Sequence, residues 1–179
     1  MKKLTTYISH VKDFHSLNEY LNEKLIINKN FKNAYTYAPK SFKELRQIIE
    51  DKYNELGPGT KQTPINFNDI DVSNIDSFCN ERNDIGLFER TKFEYINVSG
   101  WDVSRIKSMG FMFYECKQLK SVGDLSDWDV SNVEHMHYMF YNCENLKSIG
   151  DLSDWNVSSG VKTGYMFFCS AITNIPNWV

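Results

Sequence analysis

The chain predicts an α/β solenoid: about four stacked coils, one short strand plus one short helix in each, behind an N-terminal helical cap. Three observations carry this expectation. Trp101, Trp128 and Trp155 are evenly spaced, since 128 − 101 and 155 − 128 are both 27. The first two open the same sentence, WDVS-x-[IV]-x-x-M-x-x-MF-Y-x-C-x-x-L-K-S-[VI]-GDLSD. A fixed period of this length marks units that bury their apolar side only by stacking on their neighbours. Of the 179 residues, 41% are hydrophobic and 15% aromatic, which is enough for a packed core.

The elements follow in order. Residues 1–37 read as an N-terminal helical leader. Leu4, Tyr7, Ile8, Val11 and Phe14 keep helical spacing, and Ser16-x-x-Glu19 is a capping box leading Tyr20, Leu21 and Leu25. INKNFKNAYTYAPK reads as a linker. Residues 38–66 read as a capping helix and its linker. Ser41-x-x-Glu44 is a second capping box, ahead of Leu45, Ile48, Ile49, Tyr53 and Leu56, and Gly57-Pro58-Gly59 stops the run. This helix is expected to cover the first coil, with residues 1–30 as the alternative candidate for a separate docking element.

Residues 67–179 read as the repeat solenoid, with coils starting near 70, 101, 128 and 155. Counting tryptophan as zero, apolar residues fall at offsets 2, 5, 8, 11, 12, 15, 18, 21 and 24. Ile70, Val72, Ile75 and Phe78 begin a degenerate first coil, 31 residues before Trp101, so four residues longer than the rest. Ser131-x-x-Glu134 predicts a helix over Asn132–Asn142. Leu146–Leu152 predicts a short strand kinked at Gly150, stacked into a narrow parallel sheet.

Candidate chemistry is sparse. Cys116, Cys143 and Cys169 recur once per coil and read as a buried column, not as the close pairs of a thiolate metal site. His135 and His137 are expected about 200° apart on a helix, hence not a metal pair. The aspartates of WDVS and GDLSD are expected to accept hydrogen bonds from turn amides. No phosphate-binding, nucleophile or zinc motif is present, so no cofactor, no metal and no enzymatic activity are expected. The net charge of −3, with no basic stripe, points away from nucleic acid. The first twenty residues hold no apolar run of a secretory signal, and no apolar stretch is long enough to span a membrane.

One pattern does suggest a surface. On a helical wheel, offsets 10 and 13 oppose the buried ones. They hold Phe111, Tyr138 and Tyr165, then Tyr114, Tyr141 and Phe168. These six rings are the candidate partner-binding strip, the alternative being that some of them pack between coils. Lys120, Ser121, Lys147 and Ser148 on the strand side are the competing, more polar face.

The segment WDVSNVEHMHYMFYNCENLKSIGDLSDW resembles the BspA-like, leucine-rich-repeat-related repeat family, whose signature is W-[DN]-[VT]-S-x-[VI]-x-x-M-x-x-MF. The likeness covers about Phe67 to Val179. It implies a leucine-rich-repeat-like solenoid used for protein–protein contact, often on bacterial or protozoan surfaces. LNEKLIINKN is similar to leaders on such repeats in proteins of large phages of gut bacteria. The expected function is therefore a non-enzymatic protein-interaction module in a bacterial cytoplasm, for example a phage-encoded inhibitor of a host defence protein. A virion or assembly component is the alternative, and a surface adhesin the second. Self-association through the aromatic strip is conceivable on the same grounds.

Overall fold

The computed structural model describes residues 35–80 and 82–179. The leader helices read over residues 4–25 lie outside the described residues.

Helix α1 spans Phe42–Leu56. Its start is the capping box read from the sequence. Ser41 Oγ accepts from the Glu44 amide at 3.2 Å, and Glu44 Oε2 accepts from the Lys40 amide at 2.8 Å. Its end is Gly57, at φ 74, whose amide returns to the Tyr53 carbonyl. Leu45 and Ile49 are buried in the core. Tyr53 meets Phe93 edge-on at 5.1 Å. Lys52 ties α1 to the first coil through the Asn66 carbonyl and the Asp69 carboxylate. The helix thus covers the apolar side of the first coil.

Four short strands follow: β1 Ile65–Asn66, β2 Cys79–Asn80, β3 Ile85–Gly86 and β4 Ile96–Asn97. β1 pairs with β4 in parallel, Ile65 opposite Ile96. β2 and β3 form an antiparallel pair, Cys79 opposite Gly86. That hairpin holds the extra residues of the first coil. Gly86 has a steric reason to be glycine: a Cβ there would run into the Phe111 backbone carbonyl.

Successive coils lie directly on one another. Parallel bridges join Ser77 to Ser108, Ser108 to His135, and His135 to Lys162. A second line joins Tyr95 to Ser121. The buried residues recur at the apolar offsets: Val103, Ile106, Met109, Met112, Phe113, Cys116 and Leu119 in one coil, Val130, Val133, Met136, Met139, Phe140, Cys143 and Leu146 in the next. Phe113, Phe140 and Phe167 stack at 5.3 and 5.7 Å. Trp128, Trp155 and Trp178 stack at 6.4 and 5.8 Å. Each indole N–H reaches back one coil: Trp101 donates to the Phe67 carbonyl, Trp155 to that of Leu125, and Trp178 to that of Leu152. Trp128 Nε1 is the exception, buried without an acceptor.

Among the described residues the coils hold no helix, which corrects the expectation over Asn132–Asn142. That run is a succession of turns. The amides of Met139, Tyr141 and Cys143 close three-residue turns on Met136, Tyr138 and Phe140. The amides between them leave the coil: Tyr138 donates to Gly164, Phe140 to Met166 and Asn142 to Phe168. A helix keeps all its amides for its own carbonyls, whereas here every second one bonds the next coil. Tyr138 and Asn142 also sit at φ 57 and 58, which ends any right-handed helix. The strand expected over Leu146–Leu152 is likewise absent from the described backbone, where Gly150 sits at φ 95.

Two smaller corrections concern the last coil. Cys169 is exposed, and Ser170 takes the place that Cys116 and Cys143 hold above it. Ile175, counted with the core, is 51% exposed.

Candidate functional site

The turns that replace the helices set the outer face. In each of the three later coils a left-handed residue begins a three-residue turn, and the ring it carries points outward. Phe111, Tyr138 and Tyr165 all have φ 57. Three residues on, Tyr114, Tyr141 and Phe168 point the same way. The six aromatics proposed from the sequence are brought together as two columns. Phe111–Tyr138 and Tyr138–Tyr165 stack at 5.1 and 5.3 Å, nearly parallel. Tyr114–Tyr141 and Tyr141–Phe168 stack at 5.1 and 5.6 Å. Edge-on contacts join the columns within each coil: Phe111–Tyr114 at 5.4 Å, Tyr138–Tyr141 at 5.5 Å and Tyr165–Phe168 at 5.7 Å. Both alternatives left open by the sequence are thus present in the same rings. The rings pack between coils through their faces and meet solvent through their edges. Four are half-buried, while Tyr165 and Phe168 are 60% and 52% exposed.

Charge borders the ladder on the first-coil side. Arg90 lies over the Tyr114 ring at 5.4 Å and donates to Glu115 at 2.8 Å. The hydrogen bond from Arg90 holds the Glu115 carboxyl below the usual range. Burial, then the Glu115 charge, pushes the Tyr114 hydroxyl up.

Histidines border the other side, and here the structure overturns an expectation. His135 and His137 were placed on opposite sides of a helix. Their rings lie 5.9 Å apart, at 88°. The backbone is extended where His135 bridges its neighbours, so residues two apart face the same way. His137 packs edge-on against Phe111 at 5.1 Å and over Gly110, where a Cβ would meet the imidazole at 2.9 Å. Both Nδ1 atoms are enclosed with no hydrogen-bond partner. Burial lowers the His137 pKa, with His135 adding to the effect. Ser108, Asp84, Lys162 and Tyr165 line the same cleft, of about 630 Å³. Two histidines alone do not complete a metal site. Among the described residues no group of three or more His, Cys, Asp or Glu is placed to hold a metal ion.

The competing face is more committed to structure. Lys120 pairs with Glu94 at 2.6 Å and lies over Tyr95. The Ser121 carbonyl accepts from the Ile96 amide, and its hydroxyl from Gly123. Lys147 and Ser148 are exposed. Four of the WDVS and GDLSD aspartates behave as expected. Asp102, Asp124, Asp129 and Asp151 each accept from the amide two residues on, at Ser104, Ser126, Ser131 and Ser153.

Residues 61–178 match the family described as "Mycoplasma protein of unknown function, DUF285". The chain belongs to the DUF285 family. The match takes in every ring of the ladder in this DUF285 chain and the β1–β4 pair, with α1 lying ahead of it. No curated protein and no solved structure matches the chain. No helix among the described residues is long and apolar enough to cross a membrane.

Proposed function

We propose that this DUF285 chain is a non-enzymatic protein-interaction module. In this reading it is a short leucine-rich-repeat-like solenoid of the BspA-like kind, and its ring ladder is the contact surface. The supporting observation is the pair of three-ring columns, held rigid by stacking and open at their edges. Rigid aromatic side chains lose little freedom on binding and dominate interface energetics. The partner is a protein, and the place of action a bacterial cytoplasm, with inhibition of a host protein by a phage-encoded copy as one form. A virion or assembly role is the second reading, favoured only by the tiling geometry of the rings.

The test is affinity capture with two double variants, Tyr138→Ala with Tyr141→Ala and Tyr165→Ala with Phe168→Ala. The second pair is the more exposed, so it separates lost binding from lost folding. Both variants are expected to keep a cooperative melt and to lose the captured partner. Equal capture by folded variants refutes the ladder as the contact surface. Abundance in purified particles decides for the virion role instead.

A further inference from the structure

Charge is divided unevenly around the stack. Arg46, Lys52, Arg90, Lys117 and Lys120 stand in ion pairs. Lys40, Lys43, Arg82 and Lys107 stand in none among the described residues, and they line one cleft of about 650 Å³ with Asp76. That cleft meets the histidine cleft at Cys79, and Ser77 of the one bridges Ser108 of the other. Lys162, also unpaired, follows His135 on the same line of bridges. In a chain of net charge −3, one continuous face thus gathers unpaired cations that outnumber its Asp76 and Asp84. The histidine cleft opens across the rungs, with Asp84 from the first coil, Ser108 from the second, His135 and His137 from the third and Lys162 from the fourth. Its imidazoles supply donors. Each Nδ1 is enclosed without a partner, while neither Nε2 is enclosed. A buried N–H with no acceptor costs more than a bare lone pair, so both neutral rings carry the proton on Nε2 and offer it outward.

We infer that this face docks an acidic segment of the partner polypeptide, with one carboxylate seated at His135, His137 and Lys162 and others along the neighbouring cationic cleft. Charge complementarity selects the occupant. A lone small anion would leave the second cleft unfilled. A run of phosphates is charged at every unit and would meet Asp76 and Asp84, whereas a peptide places uncharged residues opposite them. Tyr138 and Tyr165 belong to the ring ladder and also line the cleft, so the acidic contact adjoins the aromatic one. The seat responds to pH. His137 faces His135, Asp84 and Lys162, and its pKa is lowered chiefly by burial. Cys79, Tyr138 and Tyr165 complete the titratable lining. A carboxylate at Nε2 favours the imidazolium, so it raises that pKa and binds more tightly as pH falls. Asp84 competes for the same donors from inside the cleft. This inference rests on the protein-binding reading above and gives the partner its charge.

The test uses the full chain and a blocked peptide of alternating Asp and Ala, with imidazole NMR signals as the readout. The peptide is expected to move the His135 and His137 signals, to raise the His137 pKa, and to bind about fivefold more tightly at pH 5.5 than at pH 7.5. The same peptide with Asn for every Asp is expected to leave both signals in place. Lys107→Gln with Lys162→Gln is expected to weaken binding about tenfold, and Asp84→Asn to tighten it about threefold. All three side chains are exposed, so these variants keep the fold, which a melt confirms. Equal shifts with the Asn peptide, no tightening on acidification, or unchanged affinity in the lysine variant overturns the proposal. Inorganic phosphate binding as tightly as the peptide also overturns it, in favour of a small-anion site. Tighter binding of hexathymidylate overturns it in favour of nucleic acid. The variants leave every ladder ring in place and the assay needs no captured partner, so this idea and the ladder reading can fail separately.

Discussion

Single side chains show how far small shifts in the repeat matter. Cys116 and Cys143 are buried, and each thiol donates to a carbonyl of the preceding coil, Phe88 at 2.8 Å and Phe113 at 3.1 Å. Burial pushes the Cys116 thiol up to about 12 and that of Cys143 higher still. Thiolate is the reactive form. Native protein treated with a thiol reagent is therefore expected to label Cys169 promptly, and Cys116 and Cys143 only after denaturation, as peptide mapping would show. Cys169 also occupies a left-handed position, φ 55, in open solvent. Cys169→Gly is expected to raise stability by about 1 kcal/mol in urea melts, because a Cβ is disfavoured there. His137 gives a pH signature. It is packed among Phe111, His135 and Tyr138, with Asp84 and Lys162 as its charged neighbours. Its folded pKa is depressed, so the unfolded chain binds the proton more readily. The stabilisation is complete above about 6.5 and is lost as pH falls through the folded value. Melting temperature should drop between pH 7 and 5, and His137→Phe should flatten that slope. An unchanged slope in the variant would place the effect elsewhere.

At the level of elements, the sequence was most legible where a local signal was sufficient. Ser41, Glu44 and Gly57 define α1 because capping is chemistry within a few residues. The turn run was misread because turns of three residues and helical turns of 3.6 share the spacings three and four. Only the destination of alternate amides distinguishes them, and that depends on the neighbouring coil. The ring ladder was found all the same, since either period keeps offsets 10 and 13 together on one face and apart from offsets 11, 12 and 15. The histidine pair was missed for the converse reason: the extended backbone at His135 is imposed by bridges to Ser108 and Lys162, not by its own residues. Gly86 shows how tightly one element constrains another. Gly86→Ala is expected to cost about 2 kcal/mol or more, measured by urea unfolding, since the added methyl displaces the Phe111 backbone.

For the molecule as a whole, stability is shared between like neighbours. Every contact column crosses one coil boundary at a time, so the energy is close to a sum of units and junctions. Removing one full period, Trp128–Asp154, would join Asp127 to Trp155 and preserve each column with one rung fewer. This shortened chain is expected to fold with a single cooperative transition, a lower urea midpoint and a smaller m-value. Loss of cooperativity would show that the coils are not interchangeable.

The indole row has an optical consequence. Chromophores held 6.4 and 5.8 Å apart share excitation before they emit, so Trp128, Trp155 and Trp178 fluoresce as one depolarised emitter. Near-ultraviolet circular dichroism should carry their exciton couplet. Peeling away the last coil would remove Trp178 from the set and split that signal, giving the protein a built-in reporter of its own fraying.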